Sequence, residues 1–237
     1  PPGEITTPYI CLFVDTGRNR VLVDTGAGPL APTTGRLPAH FRDAGIDLTT
    51  IDTVVLTHGH IDHIGGNTDA DGSPAFPGAR FVMWRAEWDF WTAEPSPSAT
   101  PADEHITNLR TWAQRFLPPI QPQVELIDRE TEIVPGIAAV AAPGHTPGNM
   151  VVAVTSGGEL LLNLSDTALD PIHLSHPEWQ PAFDQDRTQA AATRRRLFDW
   201  AANDRALVLN FHFPFPGLGH VSTARPGWRW EPITPGA

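Results

Sequence analysis

The chain of 237 residues contains no lysine: all 16 of its basic residues are arginine, against 27 acidic ones, for a formal net charge of −11. A surplus of that sign repels phosphate backbones, which argues against nucleic acid as substrate or partner. The densest basic run is Arg194-Arg195-Arg196, and three consecutive helical residues point in different directions, so it makes no stripe. Cysteine occurs once, at Cys11, which excludes an internal disulfide framework. Within the apolar run from Tyr9 to Val14 it reads as a buried strand residue rather than a reactive thiol. No stretch approaches the roughly 20 apolar residues needed to span a bilayer, so no membrane association and a cytoplasmic location are expected. The first residues are Pro-Pro-Gly, with neither an initiator Met nor an apolar signal segment, and the expectation is that the natural start is missing.

What is present suits a globular protein. Apolar residues make up 41% of the chain and charged residues 18%, enough to bury one substantial core, so residues 1–237 read as a single domain. Residues 9–14 and 20–24 are apolar runs separated by Asp15-Thr16-Gly17-Arg18-Asn19, a hairpin with turn residues at its tip. Leu37, Phe41 and Ala44 recur at helical spacing before Gly45, and Thr53–Thr57 is a β-branched strand. Residues 80–84 predict a strand, Trp84–Trp91 a short aromatic helix, and 93–103 a loop rich in Pro, Ser and Ala. A helix follows from Glu104 to Phe116, with Ile106, Leu109, Trp112 and Phe116 on one face. Strands are predicted at 124–127, 137–142, 149–155 and 159–164, with Gly157-Gly158 turning the last pair. A helix over Arg187–Ala202 capped by Asp186 and a strand at 206–211 complete the pattern, which suggests sheets packed under helices.

The ten histidines are unevenly placed. His58-Gly59-His60-Ile61-Asp62-His63 sets three imidazoles and a carboxylate within six residues, directly after a strand. Divalent metals such as zinc take neutral imidazole nitrogen and carboxylate oxygen, and a loop leaving a strand end can turn such groups inward. His145 sits in the turn Pro143-Gly144-His145-Thr146-Pro147-Gly148, Asp166 follows the strand Leu160–Leu164, and His212 follows the strand Ala206–Phe211. Each lies at the end of an apolar run, as a residue at a sheet edge would.

Together, the segments Thr57–Gly66, Pro143–Gly148, Ser165-Asp166 and Phe211-His212 resemble the successive metal-binding motifs of the metallo-β-lactamase superfamily. The resemblance implies an α+β fold, an αββα sandwich of two mixed sheets flanked by helices. It also implies two divalent metal ions, with His58, His60 and His145 on one, Asp62, His63 and His212 on the other, and Asp166 bridging. Asp24, in Asp24-Thr25-Gly26, matches the superfamily's first motif, an acid that supports the ligands. Zinc is the default metal, while manganese, iron and cobalt tolerate the same donors. Within the superfamily, His63–Asn67, Ser165-Asp166, His173–Trp179 and Asn210–His220 look most like the lactonase and methyl-parathion-hydrolase-like branch, whose members are often homodimers. The activity this implies is hydrolysis, by a water activated between the metals, of a small neutral or hydrophobic ester, lactone or phosphotriester. Asp62 and Asp166 are the candidates for passing a proton to the leaving group. The best-known quorum-quenching lactonases carry a tyrosine three residues after the bridging acid; Leu169 stands there in this chain, and the sole tyrosine is Tyr9.

An apolar, aromatic substrate pocket is expected around such a centre, drawn from Met83, Trp84, Trp88, Trp91, Phe213 and Phe215. His173 and His220 either touch substrate or are satisfied by backbone groups. The alternatives are a glyoxalase-II-like thioesterase, a β-lactamase-like amidase, or a metal-bound binding module without activity. The first should bring a basic, tyrosine-containing glutathione site, which a chain with no Lys and one Tyr does not offer.

Overall fold

In the computed structural model, residues 6–94 and 104–233 are described. From residue 95 onward, the loop expected at 93–103 lies outside them. The chain divides into two compact units: Cys11–Asp128, and residues 6–10 with 129–233.

The Cys11–Asp128 unit is built on a five-stranded sheet of β1 (Leu12–Asp15), β2 (Arg20–Val23), β3 (Thr53–Leu56), β4 (Arg80–Trp84) and β5 (Val124–Ile127), in that order. The β1–β2 hairpin is antiparallel, and β2 to β5 run parallel. Every residue of β3 is buried, as its uninterrupted β-branched and aliphatic sequence requires of a central parallel strand. Leu22, Val54, Leu56, Phe81 and Met83 pack in one apolar cluster with Phe41 of α1 (Leu37–Asp43), Ile64 of α2 (Ile61–Ile64) and Trp91 of α3 (Arg85–Thr92). Removing each such side chain from water contributes about 1.5–3 kcal/mol. Helix α4 (Glu104–Phe116) buries Ala113 and Phe116, whereas Trp112 is 37% exposed and stacks on Phe116. The inward stripe therefore runs Leu109–Ala113–Phe116, and Trp112 falls at its rim rather than in it. Cys11 lies one residue ahead of β1 and is only partly buried, a correction to the buried strand position expected for it. Burial and the charges of Asp24 and Asp62 push its thiol pKa upward, which suits a packing residue.

The other unit carries seven strands: β6 (Thr131–Val134), β7 (Ile137–Ala141), β8 (Met150–Ser156), β9 (Glu159–Asn163), β10 (Leu207–Leu209), β11 (Leu218–Thr223) and β12 (Trp228–Pro232). They lie side by side in the order β12-β11-β10-β9-β8-β7-β6, antiparallel except for the parallel pair β9–β10. Strands β6, β11 and β12 were not expected from the pattern. Helix α5 (Ile172–Ser175) is short; α6 (Arg187–Asn203) starts where Asp186 accepts the Gln189 amide at 2.9 Å. On α6, Ala190, Thr193, Arg194, Leu197, Phe198 and Ala201 are buried at helical spacing, and Leu197, Phe198 and Ala201 pack with Val151, Leu162, Val208 and Phe213. Arg194 is thus wholly buried while Arg195 and Arg196 are exposed, which disperses the arginine run.

Candidate metal-binding residues

In the Cys11–Asp128 unit, the carboxyl ends of parallel strands supply the polar groups. Strand β2 runs out at Val23, and Asp24 turns the chain with φ 60°, a left-handed conformation that short polar residues tolerate at a cost of about 1–2 kcal/mol. Its carboxylate is thereby brought across to the loop after β3. Oδ1 accepts the Thr57 amide at 2.8 Å, and Oδ2 lies 2.8 Å from the Thr57 hydroxyl and 2.8 Å from His63 Nδ1. In that loop His58 Nε2 and His60 Nδ1 are 3.0 Å apart, and the His58 and His63 rings are 4.0 Å apart at their centroids. All three imidazoles are buried; Asp62, on α2, keeps 17% of its side chain exposed, with Oδ2 3.9 Å from His63 Nε2.

Helix α3 holds this loop from the side. Glu87 is wholly buried and accepts both the Gly59 amide, at 2.9 Å, and the Trp91 indole N–H. The Trp91 ring meets His60 edge-on at 5.3 Å. A Cβ on Gly59 would stand 2.3 Å from Trp91 Cδ1, so only glycine lets the indole this close to the loop.

In the other unit, the β7–β8 turn and the carboxyl ends of β9 and β10 share one sheet edge, because β8 is antiparallel to both β7 and β9 while β10 is parallel to β9. That edge presents His145, Asp166 and His212. Asp166 Oδ2 lies 3.3 Å from His145 Nε2 and 3.2 Å from His212 Nε2. Both rings are turned this way by a partner on the other nitrogen. His145 Nδ1 is 3.1 Å from Asp184 Oδ1, and His212 Nδ1 is 3.2 Å from the Pro8 carbonyl. Asn210, also wholly buried, accepts the His212 amide at 3.0 Å and donates to the carbonyls of Ser165 and Ala168, which flank the acid and its neighbour. Gly144, with φ 132°, passes against the start of α6, where a Cβ would be 2.3 Å from the Ala190 nitrogen. Burial opposes charge on His145, but hydrogen bonds to Asp166 and Asp184 and the charges of the two carboxylates outweigh it and hold its pKa at about 9.

These clusters fit a divalent cation. Two ligand atoms each about 2.0–2.1 Å from a tetrahedral zinc are about 3.3 Å apart, and the separations of 3.0 Å (His58–His60), 3.3 Å (His145–Asp166) and 3.2 Å (His212–Asp166) lie close to that. The donors are imidazoles and a carboxylate, with Asp24 and Asp184 each on the far nitrogen of a ring, the arrangement that fixes a ligating histidine.

The residues expected around a substrate are more scattered. Met83 and Phe213 are wholly buried in the apolar clusters of their own units, and Trp91 is buried behind His60. Trp84 and Trp88 are partly buried, and Phe215 is 80% exposed. His173 is buried; its Nδ1 accepts the Leu169 amide at 3.2 Å. His220 is exposed on β11, with Nδ1 2.9 Å from the Ala206 carbonyl. Sequence reasoning passed over Glu87, Asp184 and Arg194, each remote from the motifs along the chain, and gave no role to Asn210, which opens the Asn210–His220 segment. It also set Tyr9 aside, yet this sole tyrosine stacks on Phe211 and lies edge-on to His212, 5.6 Å away.

The sequence pattern of the metallo-β-lactamase superfamily matches residues 8–202. The chain belongs to that superfamily. A solved structure, the dizinc quorum-quenching lactonase AidC in complex with a product, N-hexanoyl-L-homoserine, is 32% identical. It covers 97% of this chain and 81% of its own, with a TM-score of 0.89. The hydrolase AbOPH, 24% identical over 99% of this chain and 82% of its own, has the same fold at a TM-score of 0.91. Among curated proteins, an N-acyl homoserine lactonase of a Bacillus species is 24% identical over 186 residues, or 69% of this chain. A second, from Bacillus cereus, is 23% identical over the same share. The match spans 66% of the length of each curated lactonase. The two mixed sheets with flanking helices are those of the metallo-β-lactamase fold. No helix among the described residues is long and apolar enough to cross a membrane.

Proposed function

We propose that this metallo-β-lactamase-fold chain is a dinuclear metal-dependent hydrolase of small neutral or hydrophobic lactones and esters. The reading assigns His58, His60 and His145 to one divalent ion and Asp62, His63 and His212 to the other, with Asp166 shared and both units acting as one catalytic domain. The observation that carries it is the close set of buried donor atoms in each unit: the His58 and His60 imidazoles 3.0 Å apart in one, and the Asp166 carboxylate 3.2–3.3 Å from the His145 and His212 imidazoles in the other. Zinc is the metal of choice, in keeping with the dizinc centre named for AidC. When bound, such ions supply a Lewis acid and a water acidic enough to act near neutral pH.

The chain's own groups divide the remaining work. Asp24 and Asp184 hold the rings of His63 and His145 by Nδ1, leaving each Nε2 facing inward. Asp62, the more open of the two candidate acids, hands the proton to the departing oxygen; its side chain is 17% exposed, against 3% for Asp166. A net charge of −11 disfavours phosphate-rich substrates. The names of its relatives point to N-acyl homoserine lactones, while Leu169 in place of a tyrosine sets this chain apart from the best-known of them.

The test is a pH-stat assay of the zinc-loaded protein on N-hexanoyl homoserine lactone, an unsubstituted lactone, a nitrophenyl ester, a thioester and a phosphotriester. Ring opening of a lactone at rates well above blank is the expected result. Zinc-loaded protein that leaves every lactone and ester intact contradicts the reading, and preference for the thioester would favour the glyoxalase-II-like alternative.

A further inference from the structure

Outside the candidate ligands, one side chain in the 129–233 unit, Arg194, engages four acceptors at once. It is wholly buried on α6, and its donors go to four acceptors: Nε to the Thr167 carbonyl at 2.7 Å, Nη1 to the carbonyls of Trp179 at 2.9 Å and Pro177 at 3.3 Å, and Nη2 to Asp184 Oδ2 at 2.6 Å. A buried Arg–Asp pair adds little net stability compared with apolar residues of the same volume, so its presence calls for another use. The other Asp184 oxygen faces His145 Nδ1 at 3.1 Å. The segment carrying Asp184 is also laid against the His145 turn by backbone bonds, from Gln185 to the His145 carbonyl at 3.0 Å and from Asp186 to the Gly144 carbonyl at 2.9 Å. Thr167, whose carbonyl the guanidinium grips, directly follows Asp166.

We infer that Arg194 and Asp184 are positioning residues for the metal site: the guanidinium orients the Asp184 carboxylate, which fixes His145 with Nδ1 as donor and Nε2 inward, and it pins the turn that presents Asp166. One buried cation thereby sets two candidate ligands that lie 21 positions apart. A planar fork with several donors in fixed directions can do this; an ammonium group cannot. Arg194 also ties down the backbone of residues 177–179, so the exposed Trp179 is anchored to the same group.

The inference rests on the metal-site reading of the preceding section, and its test separates the two. Zinc affinity is measured by competition with a chromophoric chelator, and the cobalt-substituted protein is examined by visible absorption, for the wild type, Asp184→Asn and Arg194→Lys. Losses of roughly 10–100-fold in affinity, the range seen when such supporting groups are removed, are expected in both variants, with altered cobalt bands. Variants that melt lower yet bind zinc within twofold of wild type, with unchanged cobalt bands, overturn the inference alone. A wild type that binds neither zinc nor cobalt overturns the metal-site reading and this inference with it. If the variants do not fold, nitrogen-resolved NMR of the zinc-loaded wild type decides. A protonated His145 Nδ1 in slow exchange is expected, and an unprotonated Nδ1 overturns the inference.

Discussion

The two nitrogens of His63 have different surroundings: Nδ1 is 2.8 Å from Asp24 Oδ2, while Nε2 stands 3.9 Å from Asp62 Oδ2. A carboxylate on Nδ1 raises the basicity of Nε2 and stops the ring from rotating. Asp24→Asn keeps the shape and removes the charge, so zinc affinity is expected to fall about 10–100-fold by equilibrium dialysis; an unchanged affinity counts against this role. Asp166→Ala removes a carboxylate that lies within 3.3 Å of two imidazoles. Its lactone turnover is expected to drop about 10²–10³-fold, the scale of a lost electrostatic contribution to the transition state, with a native circular dichroism spectrum. His173 differs: burial and the nearby Arg194 charge hold its pKa down at about 4. In the unfolded chain it takes a proton near 6.5, so its contribution to stability is complete above about 6.5 and is lost as the pH falls to about 4. Urea midpoints across that window are expected to fall less steeply for His173→Asn, which keeps an acceptor for the Leu169 amide; parallel curves would contradict the assignment.

Among the elements, the loop between β3 and α2 depends on α3. Trp91→Phe removes the indole donor from the buried Glu87 carboxylate, which also accepts the Gly59 amide. A cost of about 1–3 kcal/mol is expected in urea unfolding, and a change below about 0.5 kcal/mol would show that Glu87 is satisfied without the indole. Elements with an uninterrupted apolar run were legible in the sequence. Thr53–Leu56, Arg80–Trp84, Val124–Ile127 and the Gly157-Gly158 hairpin lie where expected, within a residue or two. So were the His58–His63 cluster, packed into six residues, and the placing of His145, Asp166 and His212 after successive strands. Strands β6, β11 and β12 escaped because they are partly exposed at or near a sheet edge and carry no uninterrupted apolar run, and β12 ends on a proline. Asp184, Asn210, Glu87 and Arg194 escaped for another reason. A buried polar residue carries no local mark of burial; only the tertiary partner, 28 residues away for Glu87 and Gly59 and 39 for His145 and Asp184, reveals it.

At the scale of the whole molecule, the chain carries its imidazole–carboxylate clusters in two units, each on the edge of its own sheet. Ions that bind only the folded chain stabilise it by mass action, by about 2.7 kcal/mol at a free concentration 100 times Kd. Melting temperature is therefore expected to rise with added zinc and to fall on chelation, and a melting temperature indifferent to both would argue against a bound metal. The most direct test of the central claim is a crystal structure of the zinc-loaded protein with anomalous diffraction collected at the zinc edge. Two anomalous peaks are expected, one touching His58, His60 and His145, the other Asp62, His63 and His212, with Asp166 between them. No peak there, or His145, Asp166 and His212 turned away from the metal, would contradict the account.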